Sequence, residues 1–246
     1  YESDCNAMRK IEAPLLEVSN IHKKHKAIDI RGFNVNVGRG DCVAVLHKSP
    51  DAADLTASII SGHTTPDKGK IYYKGDNING VIRCFGAVKR KPNNKRLKSV
   101  ANNAALPLIK RGLPRSIAEA AVAKEIEIFG LKGYENDSFG SLNTTAAYRS
   151  ELYSAYMWSH EFMVIDEPFM ELDEEERSKE LVWLRETAGK TGLAILVFTE
   201  DIDTALALAS SVMVVNEAMR SQGIVGVDRK RLDITRNRIN ELYYDI

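Results

Sequence analysis

The heptapeptide FMVIDEP, residues 162–168, is the most informative stretch of the sequence. Four consecutive apolar residues are too few for a helix and predict a strand that is buried on both faces. The strand delivers Asp166 and Glu167 to its carboxyl end, which is where open α/β sheets bind their ligands. Two such carboxylates suit a nucleotide-bound Mg²⁺, with Asp166 on the metal and Glu167 on an attacking water. Taken alone, the heptapeptide equally fits a core strand that ends in an acidic turn.

The segment that follows has the same layout. Leu172 and Asp173 precede a charged amphipathic helix through Leu181 and Leu184, and residues 193–198 predict a second buried strand. The polar residues after that strand are Thr199, Glu200 and Asp201. A strand, a helix and another strand with polar residues at both carboxyl ends predict a parallel α/β nucleotide site.

Composition places the chain among ordinary globular proteins. Its 246 residues, 44% hydrophobic and 28% charged, suffice for one large domain or a domain with an inserted lobe. The formal net charge is zero, so no global attraction to nucleic acid or anionic lipid is expected. No apolar run reaches the ~18 residues of a membrane span, and no signal-peptide pattern opens the sequence. The cysteines lack metal-ligand spacing and predict reduced cytosolic thiols; they are Cys5, Cys42 and Cys84.

The N-terminal half reads as short strands followed by a loop and a helix. The loop HKSPDAAD, residues 47–54, leads into a helix predicted over residues 55–61, which Gly62 ends. Strand, loop and helix in this order form the context of a phosphate-binding loop. The predicted strands cover residues 15–18, 33–37, 42–46 and 70–78, the last with a turn at Gly75 and Asp76.

From residue 14 to its end the chain resembles the nucleotide-binding subunit of ATP-binding cassette (ABC) transporters. The landmarks, in chain order, are EVSN, GRGD, SGHTTPDKGKIYYKGDNI, FMVIDEP and FTEDIDTALALASSVMVV. The resemblance implies an α/β fold with a P-loop NTPase (RecA-like) core, an N-terminal antiparallel β layer and an inserted α-helical lobe at residues 89–157. Residues 1–13 are interpreted as a tail or an expression remnant.

The phosphate loop departs from the family's pattern. Such loops need glycines, because backbone N–H groups wrap the phosphates, and a final Lys-Ser/Thr pair. HKSPDAADL has no glycine, Pro50 has no N–H, and Ala53 and Asp54 stand at the positions of the lysine and the Mg²⁺-binding hydroxyl. Asp51 and Asp54 would also repel a polyphosphate. The remaining candidates for phosphate contact in this loop are Lys48 and Ser49.

Other positions that contact nucleotide in the family are changed as well. His25 aligns with the aromatic residue that stacks on adenine, although an exposed loop histidine is the alternative reading. Arg90 replaces the glutamine that senses the metal, and Glu200 replaces the histidine that contacts the outermost phosphate. The signature segment reads LNTTA, where Asn143 can cap a helix and donate to a phosphate. The family residues that persist are Asp166, Glu167 and Asp173.

These changes, in a chain whose strands and caps remain orderly, favour a degenerate ABC transporter ATP-binding subunit that is catalytically impaired or inactive. The resemblance implies a membrane permease and a second, competent ABC ATPase subunit as partners, and a cytoplasmic location at the inner face of the cell membrane. ATP and Mg²⁺ would bind weakly. The alternative is an active ABC ATPase with an atypical phosphate loop, with Glu167 as base, that drives import of a sugar or nucleoside. A third reading is a soluble scaffold or regulator.

The lobe contains one well-specified helix and one basic segment. Residues 116–130 carry a predicted capping box from Ser116 to Glu119, an apolar stripe through Val122, Ile126 and Phe129, and a stop at Gly130. Residues 89–98, KRKPNNKRLK, hold six Lys/Arg and predict a contact with the permease through Lys89, Arg90 and Lys91. The alternatives are docking to anionic lipid headgroups and solvated loop charge, and nucleic acid is not expected because no aromatic residue is interleaved. A terminal helix is predicted over residues 234–244, docking through Ile239, Leu242 and Tyr243.

Overall fold

The computed structural model describes residues 13–81, 84–90 and 98–244 of the chain. The strands are β1 Leu16–His25, β2 Ile28–Val37, β3 Cys42–Leu46, β4 Lys68–Tyr73, β5 Asp76–Asn77, β6 Gly86–Val88, β7 Phe162–Asp166, β8 Ala194–Thr199, β9 Ser211–Val215 and β10 Ser221–Gly226. The α-helices are α1 Pro50–Ile60, α2 Val100–Lys110, α3 Arg115–Glu125, α4 Thr144–Tyr156, α5 Glu174–Thr191, α6 Ile202–Leu208 and α7 Leu232–Tyr244.

The N-terminal strands form an antiparallel sheet with the order β2-β1-β4-β5. Alternation of apolar and polar residues along β1 and β2 places one face of this sheet in the core, including Phe33 and Ile71, which are fully buried. Both strands are longer than the sequence predicted. A bulge at Asn20, with φ of 52°, interrupts the pairing with β2, which then continues to His25. The predicted antiparallel β layer is therefore confirmed.

The second sheet has six strands in the order β10-β9-β3-β8-β7-β6. Its five strands from β9 to β6 are parallel, and β10 pairs antiparallel with β9. Every residue of β3, β7 and β8 is buried, as expected for strands that are covered on both faces. The carboxyl ends of these three strands lie side by side, and the candidate site is built there.

The helix after β3 begins earlier than predicted. Helix α1 starts at Pro50, not at residue 55, so the predicted phosphate loop of residues 47–54 shrinks to His47, Lys48 and Ser49. Proline suits the first turn of a helix because its φ is preset and its missing N–H has no partner there. Asp51 adds a favourable negative charge in the same turn. The predicted stop is confirmed at Gly62, which has φ of 76°.

Helices α2, α3 and α4 lie between β6 and β7. The predicted capping box is wrong: α3 begins at Arg115 after Pro114, with no side-chain cap, so Ser116 already lies inside the helix. The predicted apolar stripe is confirmed, since Val122, Ile126 and Phe129 are all buried. The predicted stop at Gly130 is also confirmed, because that residue is left-handed after a short 3-10 helix at Ile126–Phe129.

Two further predictions hold in the C-terminal half. Leu181 and Leu184 of α5 are buried, which confirms the amphipathic helix. Helix α7 starts two residues earlier than predicted and docks on the body through Ile239 and Tyr243. Leu242 is partly buried and packs against the same core. No helix within the described ranges is long and apolar enough to span a membrane.

Candidate functional site

The two acidic residues of the opening heptapeptide leave the sheet beside the end of β8. Asp166 is the last residue of β7 and pairs with Phe198 in the neighbouring strand. The backbone N–H of Glu167 donates to the carbonyl of Phe198 at 2.9 Å. Both acidic residues are only 7% exposed. The predicted meeting of the carboxyl ends of β7 and β8 is thus present, and it places Glu167 next to Thr199 and Glu200.

Hydrogen bonds from β8 engage both carboxylate oxygens of Glu167. The hydroxyl of Thr199 donates to Oε2 at 2.9 Å, and the backbone N–H of Glu200 donates to Oε1 at 2.7 Å. The backbone of Glu167 is left-handed, with φ of 48°, which is uncommon for a residue with a side chain. These bonds set the direction of the carboxylate and occupy one lone pair on each of its oxygens.

Arg90 brings a cation into the same place. Its Nη2 lies 3.3 Å from Oε1 of Glu167 and 3.1 Å from Oε2 of Glu200. We call these three residues the Arg90 cluster. The sequence resemblance led us to expect them at the family's positions for the metal-sensing glutamine, the general base and the phosphate-contacting histidine. In the structure one guanidinium contacts both carboxylates, so the three side chains contact one another.

Burial sets the protonation of the groups around the cluster. It raises the pKa of Asp166 to about 6, against the opposing effect of the Arg90 charge. It also raises the pKa of Glu167, while the hydrogen bonds from Glu200 and Thr199 work in the other direction. The pKa of His47 falls to about 4, again mainly through burial and secondarily through Arg90. His47 is therefore neutral at pH 7.

His47 is a component of this region that the sequence analysis did not single out. It follows β3 directly, is fully buried, and places Nε2 4.0 Å from Oε1 of Glu167. That distance exceeds a hydrogen bond, and a neutral imidazole forms no ion pair. Neither ring nitrogen has a hydrogen-bond partner among the described residues. An apolar strand that runs directly into a histidine was the available sequence signal.

The loop between β3 and α1 does not fit a magnesium nucleotide. Ser49 precedes the helix without a side-chain cap, Ala53 is buried inside the helix, and Asp51 and Asp54 are exposed acids on its first turns. The cavity between α1 and the ends of β6 and β7, which Asp54 and Asp166 line, measures about 20 Å³. That volume holds about one water molecule. No group of three or more potential metal ligands occurs within the described residues.

Lys48 turns towards the C-terminal helix. Its Nζ lies 4.9 Å from the ring centroid of Tyr243 and 5.8 Å from that of Tyr244. The hydroxyl of Tyr243 donates to the carbonyl of His47 at 3.0 Å, and the carbonyl of Glu200 is 3.4 Å away. Helix α7 therefore contacts both the shortened loop and the end of β8. The sequence predicted that Tyr243 docks, but not where.

The other predicted site residues either lie apart from the Arg90 cluster or cap a helix. His25 is exposed at the end of β1. Asn143 caps α4 by accepting from the N–H of Ala146 at 2.8 Å, which confirms its predicted capping role. Asp173 caps α5 in the same way, accepting from Glu176 at 2.9 Å.

The predicted partner contact is described only in part. Lys89 is exposed just beyond β6, whereas Arg90 points inward to the Arg90 cluster. Lys91 lies outside the described residues, as do the other residues up to 97. The role of this segment as a contact surface remains a prediction.

No protein-family model matches the chain, but several known import ATP-binding proteins are similar to it. The taurine import ATP-binding protein of Pseudomonas aeruginosa is 25% identical over 209 residues, which cover 85% of this chain and 80% of that protein. The spermidine/putrescine import ATP-binding protein of Spiroplasma citri is 25% identical over 86% of this chain. The methionine import ATP-binding protein of Brucella abortus is 26% identical over 84%. The matches span only 62% and 58% of the latter two proteins.

Solved structures agree on the fold. The cbiO1 protein of Clostridium perfringens, part of the ABC transporter complex cbiONQ, superposes with a TM-score of 0.79 at 19% identity. That match covers 94% of this chain and 96% of the other. A nucleotide-free ATP-binding cassette from an ABC transporter gives a TM-score of 0.77 at 15% identity, covering 93% and 98% of the two chains. At such identities the likeness establishes the fold alone.

Proposed function

The chain is a relative of ABC transporter ATP-binding subunits with the fold of their ATPase cassettes, and from that premise we propose that it is a non-hydrolysing subunit of such a transporter. It pairs with a catalytically competent ATPase subunit and a membrane permease and transmits motion between them. The named relatives are import proteins, so we propose import as the direction. The solute is left open, because the relatives named differ in theirs.

The Arg90 cluster is the observation that carries the loss of hydrolysis. A general base must present a lone pair to water, and three of the roughly four acceptor sites of the Glu167 carboxylate already receive hydrogen bonds, one of them from a guanidinium. Arg90 and Glu200 replace residues that sense metal and phosphate in the family. One guanidinium thus contacts two carboxylates, and Glu167 would have to give up its contact with Arg90 to act as a base.

The phosphate loop supports the same proposal. Without glycine, and with helix α1 already formed at Pro50, this segment has no flexible backbone to wrap an anion, and Pro50 offers no N–H. The acids Asp51 and Asp54 oppose a polyphosphate by on the order of 1 kcal/mol each at surface-like dielectric. Isothermal calorimetry should therefore find no Mg-ATP affinity for the isolated chain better than about 1 mM, or about −4 kcal/mol.

The decisive experiment removes Glu167 from an assembled transporter. Glu167→Gln in this chain should leave ATP turnover of the complex nearly unchanged, because the residue is held by Thr199 and Arg90 and takes no part in hydrolysis. The matched control is the same change at the corresponding glutamate of the competent partner, which should lower turnover about 100-fold or more. A loss of that size from Glu167→Gln itself, or micromolar Mg-ATP affinity, would establish the active-ATPase alternative.

A further inference from the structure

Strand β10 forms an open edge of the six-stranded sheet. It pairs with β9 on one side, and its sequence, SQGIVG, contains no charged residue and no proline. Ile224 within it is 63% exposed. A bulge at Gln222 leaves residues 223–226 as the regular part of the strand. Edge strands usually carry charges, proline or a cover, because their free backbone groups pair readily with another chain.

The other sheet edges in the described part of the chain are protected. Strand β5 has only two residues, and β6 has three. Helix α4 packs on β6 so closely that a Cβ at Gly86 would overlap the backbone of Ala155. Strand β2 carries the ion pair of Arg31 with Asp29, and the N–H of Arg31 donates to the carbonyl of Ala218 at 2.9 Å. Strand β10 is thus the uncharged edge with an exposed apolar side chain.

The hydrogen bonds of β10 show which of its backbone groups face the open side. The N–H of Val227 donates to the carbonyl of Ser210 at 2.9 Å. Alternate residues of an antiparallel strand bond to the same neighbour, so Val225 also bonds to β9, while the N–H and C=O of Ile224 and Gly226 point away from it. Both of these residues are exposed. They therefore offer two donors and two acceptors to an added strand.

We propose that β10 pairs antiparallel with β10 of a second copy of this chain, with Ile224 on the two-fold axis. The outward N–H and C=O of Ile224 then bond to the same groups of the other copy, and the two isoleucine side chains cover each other on one face. The pairing also places Arg220 of each copy opposite Asp228 of the other, because both positions are four residues from the axis. Both side chains are exposed and have opposite charge.

Charge favours this register over its neighbours. The outward groups of the two strands meet only if the register shifts in steps of two, which move the axis by one residue. With Val225 on the axis, Arg220 would face Lys230, and like charges opposite each other are destabilising. With Gly223 on the axis, Arg220 would face Gly226 and have no counter-charge. A second copy supplies both charges at the required spacing, and symmetry forms the ion pair twice.

The proposed contact lies away from the candidate site. In the sheet order β10 is at one edge, and β6, after which Arg90 follows, is at the other. Pairing through β10 therefore leaves the Arg90 cluster and residues 89–98 free, and the inference does not depend on the loss of hydrolysis. One pair of strands is a small interface, so we expect a dissociation constant on the order of 100 µM at low salt.

The first test measures association of the full chain. Sedimentation velocity should show a dimer that is the main species at about 300 µM and scarce at about 10 µM. Ile224→Lys should raise the dissociation constant about tenfold or more, because it puts two ammonium groups beside the axis. Ile117→Lys, at an isoleucine of the lobe that is 55% exposed, is the matched control and should associate like the unchanged chain.

The second test exchanges the charges. Arg220→Asp and Asp228→Arg should each associate about tenfold more weakly than the unchanged chain, whereas an equimolar mixture of the two variants should form a heterodimer as tight as the unchanged dimer, since both ion pairs are restored. A chain that stays monomeric at about 300 µM would overturn the proposal. A dimer that Ile224→Lys leaves intact, or a mixture that associates no better than its components, would overturn it as well.

Discussion

Glu167 illustrates how much a single residue depends on contacts that are remote in sequence. Its place after a buried strand was predicted from FMVIDEP, and the structure confirms that place. Its partners were not predictable: Arg90 precedes it by a long, helical insertion, and only the folded sheet brings the guanidinium to 3.3 Å. Sequence reasoning treated Arg90 as an outward contact, because a run of six Lys/Arg is usually solvated. The pairing with two carboxylates outweighs that tendency.

Asp166 and His47 give the site opposing pH dependences. The pKa of Asp166 is raised to about 6 from 3.8, so the folded state keeps a proton that the unfolded chain loses between these values. Stability therefore falls as pH rises through this window, by about 3 kcal/mol. The pKa of His47 is lowered to about 4 from 6.5, so here the unfolded chain binds the extra proton. Stability rises with pH across its window by a similar amount, about 3 kcal/mol.

We therefore predict that Asp166→Asn leaves the effect of His47 on the pH dependence of stability unopposed. The stability margin is the free energy of unfolding of the variant minus that of the unchanged chain. It should be about 2 kcal/mol larger at pH 7 than at pH 4.5. Urea unfolding at pH 4.5, 5.5 and 7 measures this margin. Asp137→Asn, at an exposed aspartate, is the matched control. A constant margin for Asp166→Asn would contradict the assigned direction of its pKa shift.

At the scale of elements, burial patterns were more reliable predictors than motif alignment. The strands β3 and β7 were predicted close to their observed bounds, because a run of four or five apolar residues is stable as a strand when both of its faces are buried. Helix α1 was predicted too short because the family's loop was expected where its first turn lies. Pro50 and Asp51 are good first-turn residues, so local propensity contained the correct answer. The lost glycines removed the physical reason for a loop.

Helices α4 and α5 are joined by a contact that the sequence did not reveal. Arg149 forms two hydrogen bonds to Glu180, at 2.8 and 2.7 Å, and stacks on Trp183 at 4.1 Å. The side chains of the ion pair are only 20% and 11% exposed. This pair links a helix of the inserted segment to the helix between β7 and β8.

We predict that Arg149→Ala destabilises the fold by about 3 kcal/mol, because it leaves a buried carboxylate without its cation. The double variant Arg149→Met with Glu180→Leu should recover most of that loss, since no buried charge remains. Thermal and urea unfolding of the single and double variants measure both effects. Lys179→Ala, which breaks the exposed pair with Glu175, is the control and should cost less than about 0.5 kcal/mol. A double variant no more stable than Arg149→Ala would show that stacking on Trp183 dominates.

At the scale of the whole molecule, the order of elements predicted a parallel α/β layout, and the resemblance to ABC subunits implied the P-loop core and the inserted lobe. Strand, loop and helix, then a helical insertion, then two parallel strands with polar ends leave few arrangements, because crossovers are right-handed and sequential strands lie close. The contacts within the site were not predictable, since α7 docks beside the ends of β3 and β8, and Arg90, after β6, reaches Glu167 and Glu200. The changed motifs predict weaker contacts with nucleotide, and the structure shows which residues Arg90, Glu167 and Lys48 contact instead of one.

The last prediction concerns assembly with the permease. Because Arg90 belongs to the Arg90 cluster, the contact surface is best tested through its neighbours, and we predict that Lys89→Gln with Lys91→Gln weakens assembly. Six Lys/Arg in ten residues repel one another unless an anionic partner or solvent screens them, so the effect should shrink as salt is added. Co-purification of the complex at low and high ionic strength measures it. The melting temperature of the free chain should not fall, because Lys89 is exposed.

The control for this prediction is Lys190→Gln with Lys230→Gln, which removes the same charge from exposed positions in the C-terminal half. If that variant weakened assembly equally, net charge and not the location of the segment would explain the effect. If the variant at Lys89 and Lys91 assembled normally at low ionic strength, residues 89–98 would be a solvated loop. Coupling to the permease would then pass through another surface, and the Arg90 cluster would be purely internal.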